Sequence, residues 1–188
     1  MCNGKHLVSR TVIRLDKNLG KGLAVKTGIK KTLGDVVLFA DSGTCIPYSN
    51  AMPIIKRIRS GDLDLAHASR CLKETVIHRN QTFKRRVLAW LFHQLAVWVA
   101  GLPRWITDSQ CGFKLYKGEI ARKLYDECIT TGYLFDLEIL LRAIKLGYRI
   151  EEFPVEWSCD PDSRLRPGPD APSVLKDLLK VRMIIKKI

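Results

Sequence analysis

A single carboxylate, Asp41, stands directly after an unbroken apolar run at 36–40. The run is rich in β-formers and is bounded by Gly34-Asp35 before and Ser42-Gly43 after, a pattern typical of a strand buried on both faces. In open α/β sheets, ligands bind just beyond the carboxyl ends of such strands. An aspartate there can hold a cation and, through it, a phosphate. The alternative is that Asp41 caps the helix predicted to begin near Pro47.

The second chemical feature is a lysine between two glycines, in the segment Asn18-Leu19-Gly20-Lys21-Gly22. It precedes a helix predicted over 23–33, so the free amides, the helix dipole and the charge of Lys21 together favour an anion. The spacing is not that of a Walker A loop, because Leu23 stands where that loop has a hydroxyl for magnesium. Lys21 and Gly22 are therefore candidates for phosphate binding, and a basic surface turn is the alternative.

The overall composition is that of a globular domain with an unusual charge. The chain has 188 residues, of which 46% are hydrophobic and 27% charged, and this suits one domain with a substantial core. Its 32 Lys and Arg against 19 Asp and Glu leave a formal net charge of +13. This excess indicates an anionic partner: a phosphorylated substrate, an anionic membrane surface or nucleic acid. Nucleic acid is disfavoured, because the sequence has no recognition-helix pattern and no aromatic platform.

The cysteines and apolar segments narrow the class of protein further. The six cysteines are scattered, with no Cys-x-x-Cys pair, so free thiols facing the cytosol are expected rather than a structural zinc site. The first residues lead into no signal sequence, and no stretch reaches the roughly 20 apolar residues that a spanning helix needs.

The segment 87–102, which contains Trp90 and Trp98, is either an interfacial or a core helix. A basic amphipathic helix predicted over 174–188 either lies on a bilayer or packs against the domain.

Predicted strands alternate with predicted helices, which indicates an α/β domain with a mainly parallel sheet. The strands are expected at 8–15, 36–40, 63–68, 113–116 and 148–157, and the helices at 23–33, 48–60, 87–102, 119–128, 134–146 and 174–188. Residues 160–172 hold four of the eight prolines and are expected to form a loop. Residues 1–188 are interpreted as one domain.

Six motifs, taken in order, resemble the family-2 glycosyltransferases of the GT-A fold. They are NLGKGLAV at 18–25, VLFAD at 37–41, ASR at 68–70, DSQCGFKLY at 108–116, FDLEIL at 135–140 and GYRIEEFPVEW at 147–157. Within the family, the chain is most similar to the branch that makes dolichyl-phosphate glucose, and next to the dolichyl-phosphate mannose synthases. Several motifs in family order are far more specific than any one of them.

The resemblance implies an enzyme that transfers a hexose from a nucleotide sugar to dolichyl phosphate with inversion at the anomeric carbon. In the closest branch the donor is UDP-glucose, and the product feeds protein N-glycosylation. The implied partners are the nucleotide sugar, the polyprenyl phosphate and a membrane surface. The implied location is the cytosolic face of the endoplasmic reticulum membrane, where this chain, lacking a predicted transmembrane segment, is expected to bind peripherally.

The resemblance also suggests a set of site residues. The candidates are Lys21, Gly22 and Asp41 for the nucleotide sugar, Asp41 for Mg²⁺ or Mn²⁺, Arg70, Arg85 and Arg86 for the acceptor phosphate, and Asp108 and Glu138 for catalysis. Arginine suits the acceptor site because its planar guanidinium binds phosphate through several hydrogen bonds. A turn cap is the alternative for Asp108, and a solvated or ion-paired role on its helix is the alternative for Glu138.

Two departures from the family pattern bear on activity. The family's metal motif is Asp-x-Asp, whereas this chain reads Asp41-Ser42-Gly43, so its affinity for a divalent ion is expected to be lower. Family members also begin with a strand and loop that hold the nucleotide base, and the chain is therefore interpreted as incomplete at its amino terminus. The alternatives to glucose transfer are a non-catalytic relative of the family and mannose transfer from GDP-mannose.

Overall fold

Short apolar runs form the strands of this chain, and the longer amphipathic segments between them form helices. The computed structural model describes residues 9–43, 45–158 and 171–188. The strands are β1 (Val36–Ala40), β2 (Leu65–Ser69), β3 (Val76–Arg79), β4 (Phe113–Lys117), β5 (Ile150–Pro154) and β6 (Glu156–Ser158). The helices are α1 (Lys21–Lys30), α2 (Ala51–Arg59), α3 (Phe83–Leu95), α4 (Gly118–Glu127), α5 (Phe135–Lys145) and α6 (Ala171–Lys186). A 3₁₀ turn, Tyr48–Asn50, precedes α2, and a π-helical turn, Ala96–Ala100, follows α3.

Four strands form the main sheet, in the order β1-β4-β2-β5, while β3 and β6 form a separate pair. Strands β2 and β5 are parallel, whereas β4 is antiparallel to both of its neighbours. Strands β1, β2 and β5 therefore all run in one direction, which confirms the α/β prediction apart from the reversed β4. The carboxyl ends of those three strands and the amino end of β4 meet at one edge. This edge brings together the segments that follow β1 and β2 and the loop that enters β4.

Both faces of the main sheet are covered, as the apolar run at β1 predicted. Val37 and Phe39 pack with side chains of α1, α4 and α5. Leu38 packs against the opposite cluster, which includes Ile54 and Ile58 of α2. A third cluster joins α5, α6 and the turn after α3. Because each fully buried large apolar side chain contributes about 1.5–3 kcal/mol, these layers hold the strand ends in fixed positions.

Two of the predicted strands differ in the structure. Residues 9–15 have no regular secondary structure and are largely exposed, although their alternating pattern predicted a strand over 8–15. A strand needs a neighbour for its backbone N–H and C=O groups, and in the described part of the chain nothing pairs with these residues. The strand predicted over 148–157 divides at Val155 into β5, which pairs with β2, and β6, which pairs with β3. It divides there because the N–H of Val155 donates to Oγ1 of Thr75 and its carbonyl accepts from the N–H of Val76.

The carboxyl-terminal part consists of α6, which packs on α5 and on the turn after α3. Most of the proline-rich loop predicted over 160–172 lies outside the described residues, and its last two positions belong to α6. Within the described ranges, none of the helices combines the length and apolarity that crossing a bilayer requires.

Candidate active site

Two glycines let the start of α1 approach the loop that precedes α5. A methyl group on Gly20 would lie 2.4 Å from the carbonyl oxygen of Thr131, and one on Gly22 would lie 2.7 Å from that of Thr130. Gly20 also has a φ of 102°, which residues with a side chain rarely adopt. In this structure the two glycines admit the neighbouring loop, and phosphate binding at Gly22 stays a prediction. This packing places Lys21 at the sheet edge.

Lys21 and Asp41 form an ion pair where β1 ends. Nζ of Lys21 lies 2.8 Å from Oδ1 of Asp41, and it lies 5.6 and 5.8 Å from the ring centres of Phe39 and Phe135. The backbone N–H of Asp41 donates to the carbonyl of Gly112 at 2.8 Å. Both charged side chains stay accessible, with 31% of Lys21 and 45% of Asp41 exposed. The structure therefore brings these two predicted donor-binding residues together within reach of a ligand.

A second charged pair joins Arg70, directly after β2, to Asp108 in the loop before β4. Arg70 donates from Nε to Oδ2 at 2.6 Å and from Nη2 to Oδ1 at 2.9 Å, and its backbone N–H donates to Oδ2 at 3.1 Å. Its guanidinium lies 5.6 Å from the ring centre of Trp157. The side chain of Asp108 is 6% exposed, whereas that of Arg70 is 25% exposed. The guanidinium is thus the partner that a ligand can reach.

This environment decides what Asp108 can do chemically. Burial by itself would raise the pKa of Asp108, but the charge of Arg70 and its hydrogen bonds outweigh burial and lower the pKa to about 2. The carboxylate is therefore ionised at neutral pH and is a weak base. It also accepts a hydrogen bond from the backbone N–H of Gln110 at 3.2 Å, in the manner of a turn cap. Holding Arg70 in place fits this geometry better than proton transfer does.

Glu152 on β5 fixes the loop that carries Asp108, and the sequence analysis did not identify it. Its carboxylate accepts hydrogen bonds from the backbone N–H groups of Thr107 and Asp108 and from the hydroxyl of Thr107, all at 2.8–2.9 Å. Nε2 of His67 lies 3.1 Å from the same carboxylate. Burial would raise the pKa of Glu152, and the hydrogen bonds from His67 and the two amides lower it. The sequence shows only a charged residue within a predicted strand. That pattern does not indicate which groups the carboxylate contacts.

A third charged pair, Lys114 with Asp136, lies buried next to the first one. Nζ of Lys114 is 2.7 Å from Oδ1 of Asp136 and donates to the carbonyl of Ser109 at 3.0 Å. The two side chains are only 4% and 3% exposed. Burial raises the pKa of Asp136, against the opposing charges of Lys114 and Lys21. Asp136 therefore lies within electrostatic range of Lys21, and this pair belongs to the same charge cluster.

The contacts of Glu138 favour the ion-paired alternative over catalysis. Its carboxylate is fully buried and accepts hydrogen bonds from the backbone N–H groups of Ile129 and Thr130 at 3.0 and 2.7 Å. Nε of Arg142, one turn along α5, donates to it at 2.8 Å. Burial would raise the pKa of Glu138, and these hydrogen bonds lower it. Glu138 thus ties the loop before α5 to the helix, and the structure does not place it in either accessible pair.

Arg85 and Arg86 lie in the first turn of α3. Arg85 is half-buried, and Arg86 is exposed beside Phe83 and Trp90. Their contribution to an acceptor clamp with Arg70 stays a prediction.

The described residues do not form a metal site by themselves. Within 9–43, 45–158 and 171–188, no group of three or more His, Cys, Asp or Glu side chains is placed to hold an ion. At the end of β1 the chain offers Asp41, and Oδ1 of this carboxylate is already paired with Lys21. Ser42 and Gly43 add no charge. The ligand set predicted for Mg²⁺ or Mn²⁺ is therefore limited to one carboxylate, which does not fit a resident divalent ion.

The structure resembles those of glucosyl-3-phosphoglycerate synthase from Mycobacterium tuberculosis. The complex with Mn²⁺, UDP-glucose and phosphoglyceric acid matches with a TM-score of 0.58 and 18% identity, over 95% of this chain and 57% of that one. The complex with UDP matches with a TM-score of 0.52 and 16% identity, over 90% of this chain and 56% of that one. At these identities the likeness shows the fold alone, which is the GT-A fold.

Sequence comparison extends the likeness to enzymes acting on a lipid phosphate. The dolichyl-phosphate beta-glucosyltransferase of Saccharomyces cerevisiae is 33% identical over 185 residues, or 92% of this chain and 54% of the relative. The enzyme of that name from Homo sapiens is 30% identical over 177 residues, with the same two coverages. The chain thus spans about half the length of these curated relatives. The family model for glycosyl transferase family 2 matches residues 7–125, and the chain belongs to that family.

Proposed function

We propose that this protein transfers glucose from UDP-glucose to dolichyl phosphate, with inversion at the anomeric carbon, in a reaction that feeds protein N-glycosylation. The observation that carries the proposal is the identity of 33% and 32% to two dolichyl-phosphate beta-glucosyltransferases over 92% and 91% of the chain. The two accessible charged pairs at one edge of the sheet support it, since the reaction joins two phosphorylated substrates.

The Lys21–Asp41 pair is proposed to face the diphosphate of the donor. Cleavage of the bond between the sugar C1 and the diphosphate oxygen leaves its electron pair on UDP, so positive charge near that oxygen stabilises the transition state. Lys21 lies at the start of α1, where the helix dipole adds to its charge. For the predicted Mg²⁺ or Mn²⁺, the described residues at this strand end offer the single carboxylate of Asp41, which does not fit a resident ion. No step proposed here depends on that ion.

Arg70 is proposed to hold the acceptor phosphate, together with Arg85 or Arg86. The nucleophile is a phosphate oxygen that is already anionic, so it forms its bond to C1 without giving up a proton. A strong general base is therefore unnecessary, and a carboxylate with a pKa of about 2, such as Asp108, is suited to orienting the guanidinium instead. The bidentate contact fixes the plane of Arg70 and leaves its exposed side for the phosphate.

A membrane surface is the proposed place of reaction, because dolichyl phosphate is a lipid. The helix α3 and the turn after it expose large aromatic side chains, with Phe83 at 78%, Trp90 at 60% and Trp98 at 71% exposure. The helix α6 exposes Leu179 and Met183 among lysines. Apolar side chains flanked by basic ones suit an anionic bilayer surface. We therefore propose peripheral binding at the cytosolic face of the endoplasmic reticulum.

Transfer of labelled glucose to dolichyl phosphate in detergent micelles tests the proposal. We expect an organic-soluble glucolipid from UDP-glucose and much less product from GDP-mannose. Product from GDP-mannose alone would favour a mannose synthase. A folded protein that transfers neither sugar, with or without Mn²⁺, would contradict the proposal and favour a non-catalytic relative.

A further inference from the structure

We propose that Lys21 supplies the positive charge at the donor diphosphate in place of a divalent metal ion. The inference rests on the proposed function and concerns the same site. It predicts that UDP-glucose binds to this protein in the absence of divalent cations, and that the binding depends on Lys21.

Both carboxylate oxygens of Asp41 lie close to other groups of the protein. Oδ1 lies 2.8 Å from Nζ of Lys21, so the ammonium already occupies the near side of that oxygen. Oδ2 lies close to the backbone of Gly112, just before β4, since a methyl group on Gly112 would lie 2.0 Å from it. A divalent ion at Asp41 would therefore lie beside the ammonium of Lys21 and gain a single carboxylate ligand. Mg²⁺ and Mn²⁺ prefer several oxygen ligands in a regular arrangement, and Gly43 supplies no side chain for this.

The charges of Lys21 and Asp41 balance each other without a divalent ion. Two carboxylates with one divalent cation sum to zero charge, and so do one carboxylate and one ammonium. In this chain Gly43 stands at the position of the second aspartate of an Asp-x-Asp motif, so Asp41 supplies the single negative charge of that motif. The charges of the carboxylate and the cation then sum to zero only if the cation carries a single positive charge. Lys21 meets this condition through its ion pair with Asp41. With Lys21 in place, binding a divalent ion here as well would leave two uncompensated positive charges before the donor arrived.

Aromatic and charged neighbours hold the ammonium of Lys21 in position. Its Nζ lies over the rings of Phe39 and Phe135, and cation–π attraction holds it at the sheet edge. The buried carboxylate of Asp136 adds a further attraction, because Lys21 is among the charges that act on it. An ammonium group has three N–H donors, and Asp41 engages one of them in this structure. The side chain is 31% exposed, so a phosphate oxygen can approach the remaining donors.

Calorimetric titration of UDP-glucose in EDTA, and then in Mn²⁺, tests the inference. We expect the wild-type protein to bind in EDTA with an affinity within about threefold of that in Mn²⁺. Lys21→Ala should weaken binding in EDTA by at least tenfold, about the loss of one charge-assisted hydrogen bond, whereas Lys21→Arg should keep part of it. The matched control is Lys30→Ala, at the other end of α1, where the lysine pairs with Asp126; its affinity should equal that of wild type.

A reciprocal variant gives a readout on the protein alone. Gly43→Asp restores the second carboxylate, and we expect it to bind Mn²⁺ in electron paramagnetic resonance titrations that show no binding to wild type. UDP-glucose binding that vanishes in EDTA and is unchanged in Lys21→Ala would overturn the inference but leave the proposed function standing. Failure of UDP-glucose to bind a folded wild-type protein under both conditions would overturn both.

Discussion

At the scale of single residues, the Arg70–Asp108 pair combines a fixed partner with one that a ligand can reach. Asp108 is almost fully buried and holds Arg70 through a bidentate contact, whereas a quarter of the Arg70 side chain stays exposed. A buried carboxylate that orients an exposed cation reduces the entropy lost when that cation binds a phosphate. The family resemblance suggested both residues, with Asp108 as a carboxylate that orients the sugar or the acceptor, and that role stays a prediction.

The Asp108→Asn variant should change how stability depends on pH. The folded-state pKa of Asp108 is about 2, below its ordinary value of 3.8, so its contribution is complete above pH 3.8 and is lost as the pH falls through 2. The shift corresponds to about 2 kcal/mol. We expect urea unfolding at neutral pH to show the variant less stable than wild type, with the gap narrowing below about pH 4. A gap that is constant with pH would contradict the pKa assignment.

The Glu138→Gln variant should lose stability and keep its turnover. The substitution removes the charge that accepts from two backbone amides and Arg142, so we expect a loss of about 1–3 kcal/mol in the free energy of unfolding. The surface variant Glu119→Gln, which removes an exposed ion pair with Lys117, should leave stability nearly unchanged, because solvent screens such pairs. A large fall in kcat for Glu138→Gln, with stability unchanged, would restore the catalytic interpretation.

At the scale of elements, the approach of α1 to the loop before α5 sets the position of Lys21. Gly22 is the contact point, because any side chain there would meet the Thr130 carbonyl and the Cβ of Phe135 within 3 Å. Because these contacts include backbone, a side chain at position 22 would fit only if α1 moved away from the loop. The site therefore depends on a helix–loop contact as well as on its charged side chains.

Gly22→Ala and Gly28→Ala should have opposite effects on stability, although both lie in α1. Gly22→Ala forces the helix away from the loop, and we expect a loss of about 1–3 kcal/mol together with weaker UDP-glucose binding. Gly28 has open space around its Cα, so Gly28→Ala should stabilise the helix by about 0.5–1 kcal/mol and leave binding unchanged. Denaturant unfolding and calorimetry measure both effects. Equal effects at the two glycines would contradict the packing argument.

At the scale of the whole molecule, the positive charge and the exposed aromatic side chains both favour binding to an anionic membrane surface. The formal net charge of +13 attracts the chain to an anionic bilayer, and the exposed side chains of α3 and α6 can enter its interface. The charge and the apolar side chains contribute separately to membrane binding. Salt weakens the electrostatic attraction of the charge but does not screen the contacts of the apolar side chains.

The Trp90→Ala variant should bind anionic vesicles about tenfold more weakly than wild type, since a buried aromatic ring contributes over 1 kcal/mol. Both proteins should bind less at high salt, and neither should bind strongly to zwitterionic vesicles. Tyr48→Ala, which removes an exposed ring before α2, is the matched control and should leave binding unchanged. Co-sedimentation measures the bound fraction. Equal binding by wild type and Trp90→Ala would exclude α3 from the interface.

Local pattern was enough to predict most elements of this chain. The apolar run before Asp41, the helix after Lys21 and the stripe of α5 are short-range signals, and the structure places a strand or helix at each. Order and spacing of the motifs also identified the family and the GT-A fold. The same signals failed at 9–15, where an alternating pattern has no strand partner in the described structure.

Only the tertiary structure decided which charges meet. Arg70 and Asp108 are 38 residues apart in the chain, and Lys114 and Asp136 are 22 apart. These partners are set by the reversed direction of β4 between β1 and β2, which brings the entry to β4 beside the ends of its neighbours. The sequence by itself determined most of the elements, the family and the residue types at the site, because those depend on neighbours along the chain. The roles of Asp108, Glu138 and Glu152 depend on packing between distant segments, which no local pattern encodes.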